Sequence, residues 1–550
     1  MTTELRETEQ KYESDANIVL PPLQGLPGVA TVSGPEAETL VAVYYDSKDL
    51  RLLLAGATLR RREGGADEGW HLKLPDAARP AHPARGTSSR REIRMSLARG
   101  DSDRLDRRPE GPERTGASTV SRDPVPSELA GLVRVYTRGA ALRPVARIET
   151  RRHTTTLRDA EGESLAEIAV DEVAAQTFGR TTTVVRWNEV EAELTGGGPR
   201  LARAVSDRLR RSGLHPANRS AKLERVLAVS PRASANGGSG AGRFTTVGRR
   251  LSSGSPAAGV VLAYLDVQAA RLVALDPAVR RGEEDSVHQM RVATRRLRAT
   301  FQAFPMILPP PTTQHVRDEL KWLGTVLGTA RDTEVLAEAF RAMLAVTPTE
   351  LVIGPVAARV TTHFASRAVA AGDAVLGVLD SPRYFALLDE LQRLLASPPT
   401  TAAATAPASE VLPPAVGRAY RRTRRRMRRA GQAPPGPGRD ALLHEARKAA
   451  KRARYAAEAA QPAIGKKARK FAKRMKAVQS ALGDHHDAVT VGTAAREIGV
   501  HAHLSGENAF TFGLLNEHAH HAALDSERKA MKAWKRAAGK PGWLKASERT

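Results

Sequence analysis

The sequence predicts a multidomain α+β protein, with an N-terminal antiparallel β-barrel tunnel of about eight strands followed by a C-terminal all-α duplicated helical bundle. Three observations carry this. The first 228 residues fall into short runs of period-two alternation divided by Gly, Pro and Asp turns. Those runs collect charged side chains, not apolar ones, on one face. Beyond residue 257 a histidine-led helical motif occurs twice at almost the same spacing. At 550 residues the chain exceeds what a single core supports.

The strands follow in order. In Glu7-Thr8-Glu9-Gln10-Lys11 an extended backbone puts Glu7, Glu9 and Lys11 on one side. Arg60 and Arg62 share a face, and Lys73 opposes Leu72 and Leu74. Arg90, Glu92 and Arg94 form a third charged face, and Glu167, Ala169 and Asp171 a fourth. Arg147 opens another charged strand, and Glu189, Glu191 and Glu193 stand opposite Val190, Ala192 and Leu194. An open sheet with a wetted polar side accounts for any one of these strands but poorly for five with charges of both signs. A closed barrel leaves no unpaired edge, and about eight strands enclose a lumen that side chains or one small ligand can fill. Glutamates are hard oxygen ligands for Mg²⁺ or Mn²⁺, while Arg and Lys neutralise phosphoryl oxygens, so the lumen suits a metal-bound polyanion.

The EXEXK start at Glu7, YYDSKDLRLLLAGATLRRREGG, WHLKLP, Arg90-x-Glu92, ARIETRR, WNEVEAEL and Ser220-Ala221-Lys222-Leu223 together resemble the CYTH domain of the triphosphate tunnel metalloenzymes, in order over residues 3–228. The resemblance implies a tunnel that hydrolyses or processes a triphosphate with Mg²⁺ or Mn²⁺. It implies Glu7, Glu9, Glu189 and Glu191 as metal ligands, and Arg60, Arg62, Lys73, Arg90, Arg147 and Lys222 as triphosphate-binding. It also implies catalytic parts for Lys11, which grips phosphate, and for Asp171, which orients a basic neighbour or the attacking water. Shared parity leaves open which pair of Glu189, Glu191 and Glu193 binds metal; Arg151 and Arg152 compete for one family position, and His71 and Glu149 receive no role. Metal-assisted phosphoryl transfer to water needs no protein nucleophile, which agrees with the absence of cysteine and of a Gly-x-Ser-x-Gly elbow.

The chain carries a net charge of +25, which points to an acidic partner. Residues 415–476 alone hold 21 basic against 3 acidic side chains. In the second half, His288, Arg291, Arg295 and Arg298 fall along one side of a helix, and His444, Arg447, Lys451 and Arg454 repeat the stripe with Lys448 beside it. Each copy is followed by Leu-Gly-x-x-x-Asp, ending at Asp332 and Asp487, which lie 44 and 43 residues past the two histidines. Like charges gathered so closely call for an anion against them. HQMRVATRRLRATFQAF, LGTARD, LHEARKAAKRARYAAE and LGDHHD resemble the CHAD domain, the conserved-histidine α-helical module, over about residues 256–540. That resemblance implies two related bundles around a basic cavity that binds inorganic polyphosphate, a binding module and not a catalyst. Asp484-His485-His486-Asp487 and Glu517-His518-Ala519-His520-His521 match no catalytic metal spacing and read as surface or helix-end histidines.

The expected organisation is a tunnel domain at 3–228, a Ser/Gly/Ala-rich flexible linker at 229–257, and a helical domain at 258–540 built from repeats at about 258–395 and 415–540. Residues 397–414 and 431–439 read as further loops. The N-terminus has no basic-then-apolar signal segment and no run of about 18 apolar residues is present, so a soluble cytoplasmic protein without a membrane partner is the simplest reading. The favoured function is a metal-dependent triphosphatase acting on inorganic triphosphate or a related chain, coupled to a polyphosphate-binding module. The alternative is a non-enzymatic polyphosphate-binding or targeting protein. Nucleic acid accounts for the charge but not for the carboxylate strands, and aromatics at 4% offer few stacking platforms.

Overall fold

The computed structural model describes residues 2–13, 18–75, 87–96, 124–178, 182–217, 222–228 and 251–539, with backbone only for 2–9 and 87–90. The chain divides into two compact units, Met1–Arg243 and Phe244–Thr550.

The first unit is one antiparallel sheet of ten strands: β1 (Thr2–Glu13), β2 (Thr31–Val32), β3 (Glu36–Asp46), β4 (Thr58–Glu63), β5 (Gly69–Pro75), β6 (Thr87–Ser96), β7 (Arg143–Arg158), β8 (Ser164–Thr177), β9 (Val184–Leu194) and β10 (His215–Pro216). The expected number was about eight. The two additional strands, β2 and β10, have two residues each, too few for an alternation to show in sequence. The eight long strands run β1-β6-β5-β4-β3-β7-β8-β9, and β1 pairs with β6 over Thr2–Gln10 and with β9 over Glu9–Glu13, so both ends of the path meet on one strand.

Paired residues of neighbouring strands stand on the same side of the sheet. One side carries the rows Tyr44–Arg60–His71–Arg94, Thr58–Lys73–Glu92 and Arg152–Asp171–Glu189, and on it Lys11 lies opposite Glu191. The other side is apolar: Leu59, Leu72 and Ile93 form a fully buried row. Helix α1 (Arg51–Ala55) and helix α2 (Ser127–Thr137) precede β4 and β7. Leu201, Val205 and Leu209 of α3 (Pro199–Arg211), one turn apart, pack with Tyr12, Leu157, Ile168 and Val190 of that apolar side. The helix therefore covers the outside and leaves the charged side facing the lumen.

The lumen is not charged throughout. Leu223, Val226 and Leu227 of α4 (Lys222–Ala228) pack against Ala42, Tyr44, Ile148, Val173, Ala175 and Trp187, most of them lumen-side residues of β3, β7, β8 and β9. Each such apolar side chain removed from water contributes roughly 1.5–3 kcal/mol, so α4 is anchored in this sector of the tunnel and its first residue, Lys222, is held there with it.

The second unit is helical: α5 (Ala257–Arg280), α6 (Ser286–Ala303), α7 (Pro310–Val346), α8 (Val356–Leu379), α9 (Pro382–Ala396), α10 (Ala408–Gln432), α11 (Pro437–Ala459), α12 (Gln461–Ile464), α13 (Lys466–Leu504) and α14 (Phe510–Ala537). The duplication is visible where the two copies start. Ala257 N donates to the carbonyl of Ala406 and Ala408 N to that of Ser255, both at 2.9 Å, across a Pro256–Pro407 bridge. Residues 397–414, expected as a loop, are ordered by this pairing and by Thr401 N bonding to the Ile307 carbonyl at 3.3 Å; α10 begins at Ala408 and absorbs Pro413 and Pro414. Likewise the loop expected at 431–439 shrinks to the few residues between Gln432 and Pro437. Of the expected linker, 229–250 lie outside the described residues and Ala257 already belongs to α5. Among the described residues α5 alone is long and apolar enough to cross a membrane, but half of it is buried within the bundle as a core helix.

Candidate functional site

An acidic cluster forms where β8, β9, β1 and α4 meet. Carboxylate oxygens of Asp171, Glu189 and Glu191 lie within 4.8 Å of one another. Lys222 Nζ sits among all three, 2.7 Å from Asp171, 2.9 Å from Glu189 and 2.7 Å from Glu191. Lys11 pairs with Glu191 and stands 3.8 Å from Glu189. Arg152 grips Asp171 through Nε and Nη2 at 2.8 and 2.7 Å and reaches Glu191 at 2.5 Å. Burial alone raises carboxyl pKa values. Here it is outweighed: Lys222 and Arg152 hold Asp171 below its ordinary value, and Lys11, Lys222 and Arg152 hold Glu191 well below. In return, burial would lower the Lys222 ammonium, but the three carboxylates lift it well above its ordinary value. Trp187 Nε1 donates to Glu189 at 2.7 Å and fixes that side chain. Hard carboxylate oxygens converging from two strands are a fit donor set for a divalent cation, and Lys222 stands where such a cation's charge is called for.

The basic wall belongs to β4, β5 and β6. Arg60 donates to the Tyr44 hydroxyl at 3.3 Å, and Arg60 in turn draws the Tyr44 pKa down against burial. Arg62 is pushed down to about 9 by burial and by Arg60 and Arg152 beside it, and it pairs with Asp67. Glu92, fully buried, receives Arg94 at 2.7 Å, with Lys73 at 4.0 Å and His71 Nδ1 at 2.9 Å. Burial raises Glu92, but the His71 hydrogen bond and Lys73, Arg60 and Arg94 hold it well below its ordinary value.

The structure thus brings together Lys11, Asp171, Glu189, Glu191 and Lys222, and places Arg60, Arg62 and Lys73 on the same lumen side. Of the three glutamates that share parity on β9, Glu189 and Glu191 are the two gathered with Asp171. Arg147 is a correction. Its strand neighbours are Val43 and Gln176, on the opposite side of β7 from Arg152, and it is 36% exposed against Glu149. Arg152 takes the inward position and Arg151 is exposed. The side chains of Glu7, Glu9 and Arg90 lie outside the described residues; their backbones pair Glu7 with Arg90 and Glu9 with Glu193. Sequence reading left Arg152 in competition with Arg151, and it gave no site role to Arg94, His71, Glu92 or the apolar side of α4. The alternation signal did mark Glu92 and Arg94 as facing with Arg90.

In the second unit the two stripes approach each other. Arg291 and Arg295 of α6 and Arg447 and Lys451 of α11 are close enough that, with burial leading, Arg447, Arg295 and Arg291 push Lys451 down to about 7. Both histidines of the motif are also lowered, chiefly by burial, and His444, to about 4, lies against His486 with ring centroids 4.1 Å apart and planes tilted by 47°. Nδ1 of His288 and of His444 is buried with no hydrogen-bond partner among the described residues. In each repeat the motif arginine lies against the glycine of Leu-Gly-x-x-x-Asp, and the aspartate follows it: Arg291 over Gly328 with Asp332 at 3.0 Å, and Arg447 over Gly483 with Asp487 at 3.9 Å. Arg298 has Arg317 and Asp318 beside it, Arg454 is tied to Glu458 at 2.7 Å and Gln479 at 3.2 Å, and Lys448 pairs with Glu445. His485 and His486 correct the expectation for their motif: they lie mid-way along the 39-residue α13, and His485 is only 3% exposed, 3.2 Å from Asp440. His518, His520 and His521 are exposed as expected.

A sheet wound into a tunnel with converging acids and bases, in one chain with a duplicated histidine-led bundle, defines a two-domain triphosphate-tunnel protein. The CYTH domain family matches residues 6–221 and the CHAD domain family residues 263–496. The chain belongs to the triphosphate-tunnel enzymes of the CYTH family, in the form that also carries a CHAD domain. It is 34% identical over 525 residues, 92% of each chain, to "Uncharacterized protein Rv2226" of Mycobacterium tuberculosis (strain ATCC 25618 / H37Rv), and equally to "Uncharacterized protein MT2285" of strain CDC 1551 / Oshkosh. Among solved structures, PptA from Streptomyces chartreusis aligns at 22% identity and TM-score 0.42, covering 51% of this chain and all of that one. The CHAD domain from the plant Ricinus communis aligns at 25% identity and TM-score 0.38, over 56% of this chain and 94% of its own.

Proposed function

We propose that the first unit is a divalent-metal-dependent triphosphatase that hydrolyses inorganic triphosphate or a related triphosphate, and that the second binds inorganic polyphosphate. The observation that carries the first half is the division of one lumen into an acid wall, Asp171, Glu189 and Glu191, and a basic wall, Arg60, Arg62, Lys73 and Arg94. A linear polyphosphate bearing a divalent cation matches both walls at once; a free polyanion matches only the second.

Glu189 and Glu191, with Glu7 and Glu9 of β1, hold the Mg²⁺ or Mn²⁺. The metal, when bound, neutralises phosphate oxygens and acidifies a water. Arg60, Arg62, Lys73 and Arg90 take the phosphate oxygens, Lys11 meets the phosphate nearest the acids, and Arg152 supplies the position expected of Arg147. Asp171, itself gripped by Arg152 and Lys222, orients those two cations toward the reacting phosphate. Preorganised charge of this kind stabilises the charge that builds in phosphoryl transfer without a covalent intermediate. In the helical unit, Arg291, Arg295, Arg447 and Lys451 form the centre of the polyphosphate cavity, with His288, His444, Arg298, Lys448 and Arg454 around it. The protein is read as cytoplasmic.

The test is phosphate release from inorganic triphosphate by the full chain with Mg²⁺ or Mn²⁺. Glu189→Gln with Glu191→Gln should reduce it about 10²-fold or more, the scale of losing preorganised charge stabilisation, while long-chain polyphosphate still binds. The non-enzymatic reading draws on one observation: Lys222, Lys11 and Arg152 already neutralise the three acids. Triphosphate binding without turnover under any divalent metal would establish it.

A further inference from the structure

His71 lies in the basic wall, outside every role assigned above, and both of its ring nitrogens face oxygen. Nδ1 is 2.9 Å from Glu92 Oε1, and Nε2 is 2.8 Å from the backbone carbonyl of Asp67. A carbonyl only accepts, so Nε2 carries a proton. An ionised carboxylate also only accepts, so a neutral ring would point a nitrogen lone pair at a carboxylate oxygen, with both side chains just 1% exposed. Either the ring is an imidazolium or the carboxyl keeps its hydrogen. In both cases the pair holds one proton more than a neutral ring and a bare carboxylate together.

We infer that His71 and Glu92 share this proton, and that it is what keeps Lys73 and Arg94 turned to the lumen as anion-gripping groups. The inference rests on the triphosphate reading of the tunnel for its ligand, and on geometry alone for the proton. Glu92 Oε2 accepts from Arg94 Nε at 2.9 Å, and Lys73 stands 4.0 Å from Oε1. Arg60 lies across the strand from His71, Arg62 pairs with Asp67, and Tyr44 bonds Arg60. On β1 the residues paired with Arg94 and Glu92 are Thr3 and Leu5, neither of them titratable. With the proton present the pair is neutral overall, and the four cations outnumber Asp67 toward the lumen. Once it is lost, a bare carboxylate sits behind Lys73 and Arg94 and draws their charge off the anion. Burial pushes the ring itself down, to about 4, ahead of the lift from the Glu92 hydrogen bond. The Asp67 carbonyl works the other way, because it removes the tautomer that a neutral ring would need, so the proton is a property of the pair. His71 and Glu92 are accordingly positioning residues for Lys73 and Arg94.

The test uses the full chain labelled with ¹⁵N-histidine, the His71 signals being assigned by their loss in His71→Gln. At pH 7 a strongly deshielded proton between His71 and Glu92 is expected, together with an N–H at Nε2. Triphosphate titrated calorimetrically without metal should bind more weakly as that proton leaves, its Kd rising about tenfold per pH unit above the titration, the slope of one linked proton. Glu92→Gln keeps an acceptor for Arg94 and offers an amide hydrogen to Nδ1, so it should fold, bind and lose that pH limb. A neutral ring beside an ionised Glu92 at pH 6, or an unchanged limb in Glu92→Gln, overturns the inference. If the shared proton is present but triphosphate neither binds nor is cleaved, the reading of the tunnel falls instead.

Discussion

Lys222→Met isolates what the tethered ammonium does among the three acids. In the native chain Lys222, Lys11 and Arg152 set three positive charges against Asp171, Glu189 and Glu191, and the Lys222 side chain is 9% exposed. Methionine keeps the stem and its packing in the α4 sector but removes the charge, leaving three carboxylates and two cations. Removing one partner of a buried pair costs about 3–5 kcal/mol; since Lys11 and Arg152 remain, the lower end, about 3 kcal/mol, is expected here. The same vacancy favours a divalent cation, which in the native chain must displace an ammonium held at 2.7–2.9 Å by all three acids. Mn²⁺ should therefore bind the variant at least about tenfold more tightly, some 1.4 kcal/mol. Mn²⁺ at a hundred times its Kd should restore about 2.7 kcal/mol of the lost stability. Urea titration of the full chain, read by hydrogen exchange of β8 and β9 amides with and without Mn²⁺, measures the stability terms, and calorimetry the affinity. A variant as stable as the native chain with unchanged Mn²⁺ affinity would refute the placement of Lys222 at the centre of the acids.

The remaining outcomes follow from the same networks. Asp171 and Glu191 are held below their ordinary 3.8 and 4.5, so their stabilisation is whole above about pH 4.5 and fades as pH falls through the lower folded values; β8 and β9 amides should lose exchange protection below that pH and not between 5 and 8. Lys451, pushed down to about 7 by burial and by Arg447, Arg295 and Arg291, is partly uncharged near neutrality, and an arriving polyanion favours its charged form. Polyphosphate binding at pH 7.5 should then take up protons, seen as a dependence of the calorimetric heat on buffer ionisation enthalpy, and weaken from pH 6 to 9. In Gly483→Ala the new methyl would lie 3.1 Å from Arg447 Nη2, against 3.4 Å for Gly328→Ala and Arg291. Both should leave the fold intact, since helical Gly→Ala favours the helix by about 0.8–1.0 kcal/mol, but polyphosphate affinity should fall more in Gly483→Ala.

Period two is a local property, so it was readable wherever a strand's own residues decide its facing. Arg60, Arg62, Lys73, Asp171, Glu189 and Glu191 all turn to the expected side for that reason. Arg147 failed for an instructive cause. On β7 the set Arg147, Glu149 and Arg151 is the more charged, and a rule that turns charge inward selects it. Yet Ile148 shares a core with Leu223, Val226 and Leu227, and burying that cluster commits the other parity, Ile148, Thr150 and Arg152, to the lumen. The deciding contact comes from a helix more than seventy residues away in sequence, and no alternation within β7 records it.

The helical half was legible through its repeats, because a 44- or 43-residue interval is a physical path: along one helix from the histidine, around a turn, and back along the next until aspartate faces arginine. What the repeat could not disclose is where the copies differ. Position 331 is arginine and its counterpart 486 is histidine; His486 lies against the His444 ring, whereas Arg331 presses its charge on His288. The first repeat thus carries a permanent cation at this position, and the second a pair of rings that burial and neighbouring cations push down to about 4. A phosphate chain lying across both repeats would meet these two positions in unequal states, so Arg331→His should make the first as pH-dependent as the second and steepen the loss of polyphosphate affinity between pH 6 and 8. An unchanged pH profile in that variant would show that position 331 does not face the bound chain.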